Sequence, residues 1–435
     1  MNFVMTLAGI SPIPDRKRLF TMHAHLPYLD WIDTLRDQMR QQVTDWCNIN
    51  SGTENLVGIA AMADVLRKEF AVLRGRLEEL PVPPAESIDS RGQPVQVPLG
   101  PALRFSKPHP ARSQPRTADG QAVRVLLNIH RDTVYGIEHP FQSCTKLDPN
   151  TLRGPGVIDA KGGLVVMLAA LRALERSPFA ERIAWQVLIN SDEEIGSPGS
   201  AGLLAQAARE NDLGLLFEPA LPDGSLASRR GGTGNFTIVL RGRSAHAGRD
   251  FERGRSAVVA LAEMVVQLHA FNGAVPGITV NVGRVEGGGA VNVVPDLAIA
   301  RVNVRTSVPQ DEAKIVSELH RIVAAAGAKD GITAELHGGI TSPPKLPDDR
   351  TRRLMETVES CGRELGIPIS WRDSGGASDG NKLAAAGLPN IDTLGPRGGN
   401  IHSPEEFLLL DSLVERAKLT ALVLMKMAGE TGLGT

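Results

Sequence analysis

Long apolar runs that stop abruptly at a charged residue or a histidine set the rhythm of the first half of the chain. Residues 122–130 (AVRVLLNIH) and 182–191 (RIAWQVLINS) are nearly continuous apolar segments, and 213–219 (LGLLFEP) is a shorter one. Runs of this length, bounded by turn residues, predict buried strands. Between the first two, 162–174 (GGLVVMLAALRAL) predicts a helix, and the alternation over residues 30–228 reads as α/β. From about 230 the pattern changes. Strands are predicted at 234–242, 278–287, 297–306 and 332–338, with amphipathic helices at 254–272 and 310–327. That order, β-α-β-β-α-β, is a ferredoxin-like unit. Helix then resumes at 348–366, and a long C-terminal helix is predicted near 409–430.

One stretch resists this scheme. Nine prolines fall between Pro81 and Pro115, among apolar residues such as Val95, Val97, Leu99 and Phe105. It predicts a surface excursion with one or two edge strands and no helix.

Chemistry-bearing residues cluster where the apolar runs end. His130 closes the first run, with Asp132 two residues on; the adjacent acids Glu193 and Glu194 follow the second, and Glu218 the third. Asp159 lies in the glycine-rich turn RGPGVIDAKGG (153–163), and His402 follows the apolar residues of IDTLG (391–395) in GGNIHSPEE. Ligands of open α/β sheets bind outside the carboxyl ends of the strands. A neutral imidazole is a common zinc ligand, and a nearby carboxylate fixes its tautomer. Two acids side by side pack poorly, but they suit a site in which one holds a metal and the other moves a proton. Each residue alone has a bland reading: Asp159 could cap a helix, and His130 could be a hydrogen-bonded strand histidine. The glycine-rich turn lacks phosphate-loop spacing, and the HRD at 130–132 is followed by no DFG. Five such residues at strand ends are harder to dismiss. Because His402 must return to a site made by 130–218, the ferredoxin-like unit reads as an insertion. The domains are then 1–230 with 340–435, and 231–339. An inserted lid can close over a cleft and expel water.

Composition narrows the partners. The chain has 435 residues, 42% hydrophobic and 22% charged, with a net charge of −2. Neither a nucleic acid nor an anionic membrane is favoured by that balance. Cys47, Cys144 and Cys361 form no paired framework and lack metal-type spacing, so a reducing cytoplasm is expected. The N-terminal segment 1–15 has no basic start before its apolar run, and no stretch is long enough to span a membrane.

The segments HRDTV, GPGVIDAKGG, SDEEIGS, FEP, SAHAG, NVVPD and GGASDG…GNIHS occur in this order. Together they resemble the di-zinc amidohydrolase family of glutamate carboxypeptidase, acetylornithine deacetylase, succinyl-diaminopimelate desuccinylase and aminoacylases. The resemblance covers about residues 30–430 and is nearest to the glutamate carboxypeptidase branch, in HRDTVYG and GPGVIDAKGG. It implies a discontinuous zinc-peptidase-like catalytic domain and a lid that also dimerises. It implies two Zn²⁺ per subunit, with Co²⁺ or Mn²⁺ as substitutes. By this resemblance Asp159 bridges the metals, His130 and Glu218 complete one, and Glu194 and His402 complete the other. Asp132 orients His130, and Glu193 is the general base on the bridging water. His246, from the lid of a partner subunit, stabilises the oxyanion, and Asn292 and Arg305 contact substrate. A cis peptide at Asp159–Ala160 is also implied.

The substrate is less defined. In the nearest branch a basic residue after the last lid strand helps hold a substrate carboxylate, whereas HGGITSPPKLP (337–347) has no arginine. Arg305 can still grip a carboxylate with two hydrogen bonds, and Arg397 is a further candidate. The expected reaction is hydrolysis of an amide beside a carboxylate, in a small peptide or N-acyl amino acid. The alternatives are a deacylase of the acetylornithine type and a catalytically silent metal-containing binding protein.

Overall fold

The computed structural model describes residues 16–107 and 123–429. The segment 1–15 and residues 108–115 of the proline-rich stretch lie outside the described residues. Six strands form one sheet, ordered Arg76–Leu80, Ala102–Lys107, Ile183–Asn190, Val123–His130, Leu213–Leu216, Asn390–Ile391. The last four are parallel, and the first two pair antiparallel at one edge. Parallel strands covered on both faces can be apolar at every position. Ile183–Asn190 is buried throughout for that reason. One face packs on the helices Gly163–Arg176 and Asp411–Gly429, joined by Arg36–Cys47. The other carries Ala201–Glu210 and Asp379–Ala385, with Leu126, Leu188 and Leu216 against Leu204 and Leu383.

Residues 232–342 build a second sheet with its own apolar core. Its strands are ordered Ile278–Gly287, Leu297–Thr306, Gly232–Arg241, Thr333–Ser342, all antiparallel. Phe236, Ile238 and Leu240 face the helices Ala257–His269 and Pro309–Gly327. Alternation along a strand turns Asn235 and Thr237 to the opposite face, where they meet Asn303 and Arg301. The last strand runs to Ser342, four residues beyond its predicted end. The two passages between the sheets run side by side: Arg230 and Lys345 exchange backbone hydrogen bonds of 3.1 and 3.0 Å.

The proline-rich stretch divides between the two parts. Ala102–Lys107 joins the main sheet. Ala85–Ile88 and Pro94–Val97 form a hairpin that reaches the polar face of the second sheet, seating Ile88 on Val239 and Ile299. Arg301 and Arg241 donate to the Ile88 and Gly92 carbonyls at 2.6 and 2.7 Å. A cavity of about 650 Å³ lies between the hairpin and this sheet.

All three cysteines are free. The Cys47 and Cys144 sulfurs both lie against Gly154. No described helix is long and apolar enough to cross a membrane.

Candidate metal centre and active site

Three of the four parallel strands deliver polar groups at their carboxyl ends. His130 is the last residue of Val123–His130. Glu193 and Glu194 lie on a single 3-10 turn, Glu193–Ile195, just past Ile183–Asn190. A turn can aim neighbouring side chains at one centre, where a continuing strand would send them to opposite faces. That turn is held from outside: Asp192 accepts from the backbones of Gly199 and Ser200, and Asp379 from Asn190 and Ser197. Asp379 belongs to the GGASDG motif, so this motif supports the turn that carries the acid pair.

Asp159 precedes the helix Gly163–Arg176, and its bond to Ala160 is cis. The helix comes so close to the strand bearing Glu218 that a Cβ on Gly163 would lie 2.2 Å from the Phe217 carbonyl oxygen. Only glycine permits this approach. His402 arrives on an exposed loop in the left-handed region, with φ 61°.

These groups converge. His130 Nε2 lies 3.1 Å from Asp159 Oδ1 and 3.7 Å from Glu218 Oε1. His402 Nε2 lies 3.4 Å from Asp159 Oδ2 and 3.2 Å from Glu194 Oε2. Asp159 thus stands between two histidines, one oxygen toward each, and each histidine has a glutamate of its own. Asp132 sits behind them. Its carboxylate lies 3.3 Å from His130 Nδ1, takes a hydrogen bond from Thr53, and accepts the backbone N–H groups of Glu193 and Glu194. The Glu193 carboxylate has no hydrogen-bond or ion-pair partner among the described residues.

The charge balance is strongly negative. Burial, with Asp159 nearby, pushes Glu194 up to about 7 and Glu218 up to about 8. Burial and Glu218 raise Glu193. Hydrogen bonds to Asp159 and Glu194 lift His402 to about 11. Burial favours neutral His130, but Glu218, Asp132 and Asp159 overcome it and hold the ring's pKa above its usual value. Crowded acids that resist ionising are the setting a divalent cation relieves. His130, Asp159 and Glu194 can each direct a ligand atom to within 4.8 Å of the others'. A mixed nitrogen and carboxylate donor set suits zinc.

Three expected residues stand apart from this cluster. His246, Asn292 and Arg305 are exposed on the second sheet and its loops, and among the described residues no hydrogen bond or ion pair joins them to it. His246 and Asn292 are nonetheless neighbours: Ala247 N–H donates to the Asn292 carbonyl, and His246 bridges Val293. Arg305 bonds only Asn303. Arg397 is already engaged by Asp411 and Glu415.

Sequence reasoning missed two supports. Glu406 is buried and accepts from the N–H groups of Gly156, Ile158 and Asp159 and from the Tyr135 hydroxyl. Burial, with Asp159 nearby, raises it to about 7. Its only signal was an acid four residues after His402. Replacing it with glutamine turns an NH₂ toward these donors and strands one of them, at a cost of about 1–3 kcal/mol. We expect Glu406→Gln to lower the melting temperature and to weaken zinc retention about 10–100-fold in chelator competition. Unchanged retention would show that Asp159 does not depend on this loop. The second support is Arg230, buried against Asp392 beside Glu218. Lys345, in the stretch that lacks an arginine, is buried and bonded to Asn390, so it is not free to hold substrate.

Comparison with known proteins agrees with this geometry. The model of peptidase family M20/M25/M40 matches residues 126–426. Carboxypeptidase G2 of Pseudomonas sp. (strain RS-16) is 27% identical over 310 residues, 69% of this chain and 73% of that protein. A tripeptidase from Staphylococcus aureus has a TM-score of 0.70 at 20% identity, covering 91% of this chain and 99% of that one. A dinuclear metal-binding peptidase of the M20 family from Bacillus subtilis has a TM-score of 0.61 at 15% identity, covering 91% and 99%. The chain belongs to peptidase family M20/M25/M40 and is a metal-dependent hydrolase of amide bonds.

Proposed function

We propose that this protein is a di-zinc exopeptidase of the carboxypeptidase type. It would act on a small peptide or N-acyl amino acid whose scissile amide lies beside a carboxylate. The observation that carries this reading is the placement of Asp159 between His130 and His402, with Glu218 beside one and Glu194 beside the other. In this reading Asp159 is shared by both metals. His130 and Glu218 hold one, Glu194 and His402 the other. Zinc supplies Lewis acidity toward the carbonyl and makes water more acidic. Glu193 takes the proton from the attacking water and passes it to the leaving nitrogen. Asp132 fixes the ring of His130 and the backbone of the acid pair. Asn292 and Arg305 hold the substrate, and the exposed guanidinium of Arg305 suits its carboxylate.

We read residues 1–230 with 340–435 as the catalytic domain and 231–339 as an inserted ferredoxin-like lid, with the paired Arg230 and Lys345 backbones as its hinge. We place the protein in the cytoplasm as a homodimer joined through the lid, with His246 reaching the partner's site. Supporting the dimer, Val259 and Val266 share one face of the lid helix and are 56% and 71% exposed, and Val291 beside Asn292 is fully exposed. Val259→Glu with Val266→Glu is expected to give a monomer by sedimentation that keeps its zinc and loses turnover. A dimer that survives both changes would place the interface elsewhere.

Zinc counting, with turnover against a panel of dipeptides and N-acyl amino acids, tests the whole reading. Two zincs per chain and hydrolysis of members of the dipeptide panel are expected. Activity confined to N-acetyl or N-succinyl amines would assign a deacylase instead. Stoichiometric zinc with no hydrolysis would sink the proposal.

A further inference from the structure

Cys47 and Cys144 are 97 positions apart but share one pocket under the metal-binding loop. Cys47 ends the helix Arg36–Cys47 and is buried, whereas Cys144 is partly exposed. The Cys144 backbone N–H is tied to Asn48 Oδ1 at 2.8 Å, next to the end of the helix that carries Cys47. Both sulfurs lie only 2.6 Å from where a Cβ on Gly154 would stand. The Cys47 thiol also donates to the Pro155 carbonyl at 3.0 Å. The buried Lys161 bonds the Ile49 carbonyl at 2.7 Å, two residues beyond Cys47. A partly exposed thiol and a buried thiol held against the same glycine are the components of a peroxide-responsive pair.

We propose that Cys47 and Cys144 form a reversible disulfide on exposure to hydroperoxide, and that this bond lowers activity by shifting the loop that carries Asp159. In the first step the Cys144 thiolate attacks the peroxide, giving a sulfenic acid and one water. Cys47 then attacks that sulfur and the hydroxyl leaves with a proton as the second water, so two thiols are oxidised and one peroxide is reduced. Cys47 can no longer donate to Pro155 once its hydrogen is gone. Pro155 lies between Gly154 and Gly156, which hydrogen-bond Glu406, and Glu406 in turn holds the backbone of Asp159. The bond itself does not depend on the metal assignment; its effect on turnover rests on the reading of the site given above.

The zinc-loaded protein is treated with hydrogen peroxide, then denatured and its thiols counted. Three thiols should fall to one, with a mass loss of about 2 units and a Cys47–Cys144 crosslinked peptide. Turnover should fall about tenfold and recover with dithiothreitol. Cys144→Ser should form no crosslink and keep its turnover through the treatment. Cys361→Ser should behave as wild type. Wild type that keeps three thiols, or that gains oxygen at Cys144 without a crosslink, would overturn the proposal. A disulfide that leaves turnover unchanged would overturn the switch, whatever the panel assay shows of the substrate.

Discussion

Glu193→Gln is expected to leave two zincs in place and to lower kcat by about 10²–10⁴-fold, the usual contribution of a positioned general base. The expectation follows from a division between adjacent acids. Glu194 is within 3.2 Å of His402 and belongs to the group that can converge on a cation. Glu193 has no side-chain partner among the described residues, although Glu218 and Glu194 are close enough to raise its pKa. Burial and those neighbours make it a stronger base than an ordinary surface glutamate. Glutamine keeps the shape and cannot accept the proton. Zinc content by mass spectrometry and single-turnover rates on one panel substrate check the result. Loss of one zinc would make Glu193 a ligand, and near-normal kcat would assign the proton to another group.

The groups that converge were readable from sequence because sheet geometry does most of the placing. A parallel strand reads as an apolar run, and the residue that ends it faces the ligand side of the sheet. That signal singled out His130, Glu194 and Glu218, and the family resemblance supplied their roles as ligands. Asp159 and His402 lie farther from strand ends, Asp159 in a glycine-rich turn before a helix and His402 on an exposed loop, so the apolar runs point to them less directly. The supports had no comparable signal. Glu406 acts through four hydrogen bonds to backbone and a tyrosine, and Arg230, Asp392 and Lys345 meet only because two passages of the chain pair beside the last strand. Cys47 and Cys144 are brought to the same glycine by the fold of the chain between them, with nothing in their spacing to announce it. The hairpin at 85–97 was legible as a break in the α/β pattern, but its seat on the second sheet depends on Val239 and Ile299 facing outward there.

His246→Ala is expected to retain both zincs and to lower kcat by about 10²–10³-fold, as the loss of an oxyanion donor does. The sharper result comes from mixing it with Glu193→Gln. In one chain His246 is exposed on the second sheet, and among the described residues it bonds none of the clustered groups, so in the proposed dimer its contribution comes from the partner subunit. A heterodimer of the two variants then holds one site with both defects and one with neither. Random reassortment of a two-fold dimer makes half the molecules heterodimers, so mixing two nearly inactive proteins should restore about a quarter of wild-type turnover. Recovery should appear only after subunit exchange, which unfolding and refolding the mixture together would force. A mixture that exchanges subunits and stays inactive would place His246 at its own chain's site, reached by lid closure, and the Val259→Glu and Val266→Glu monomer would then be expected to keep its turnover.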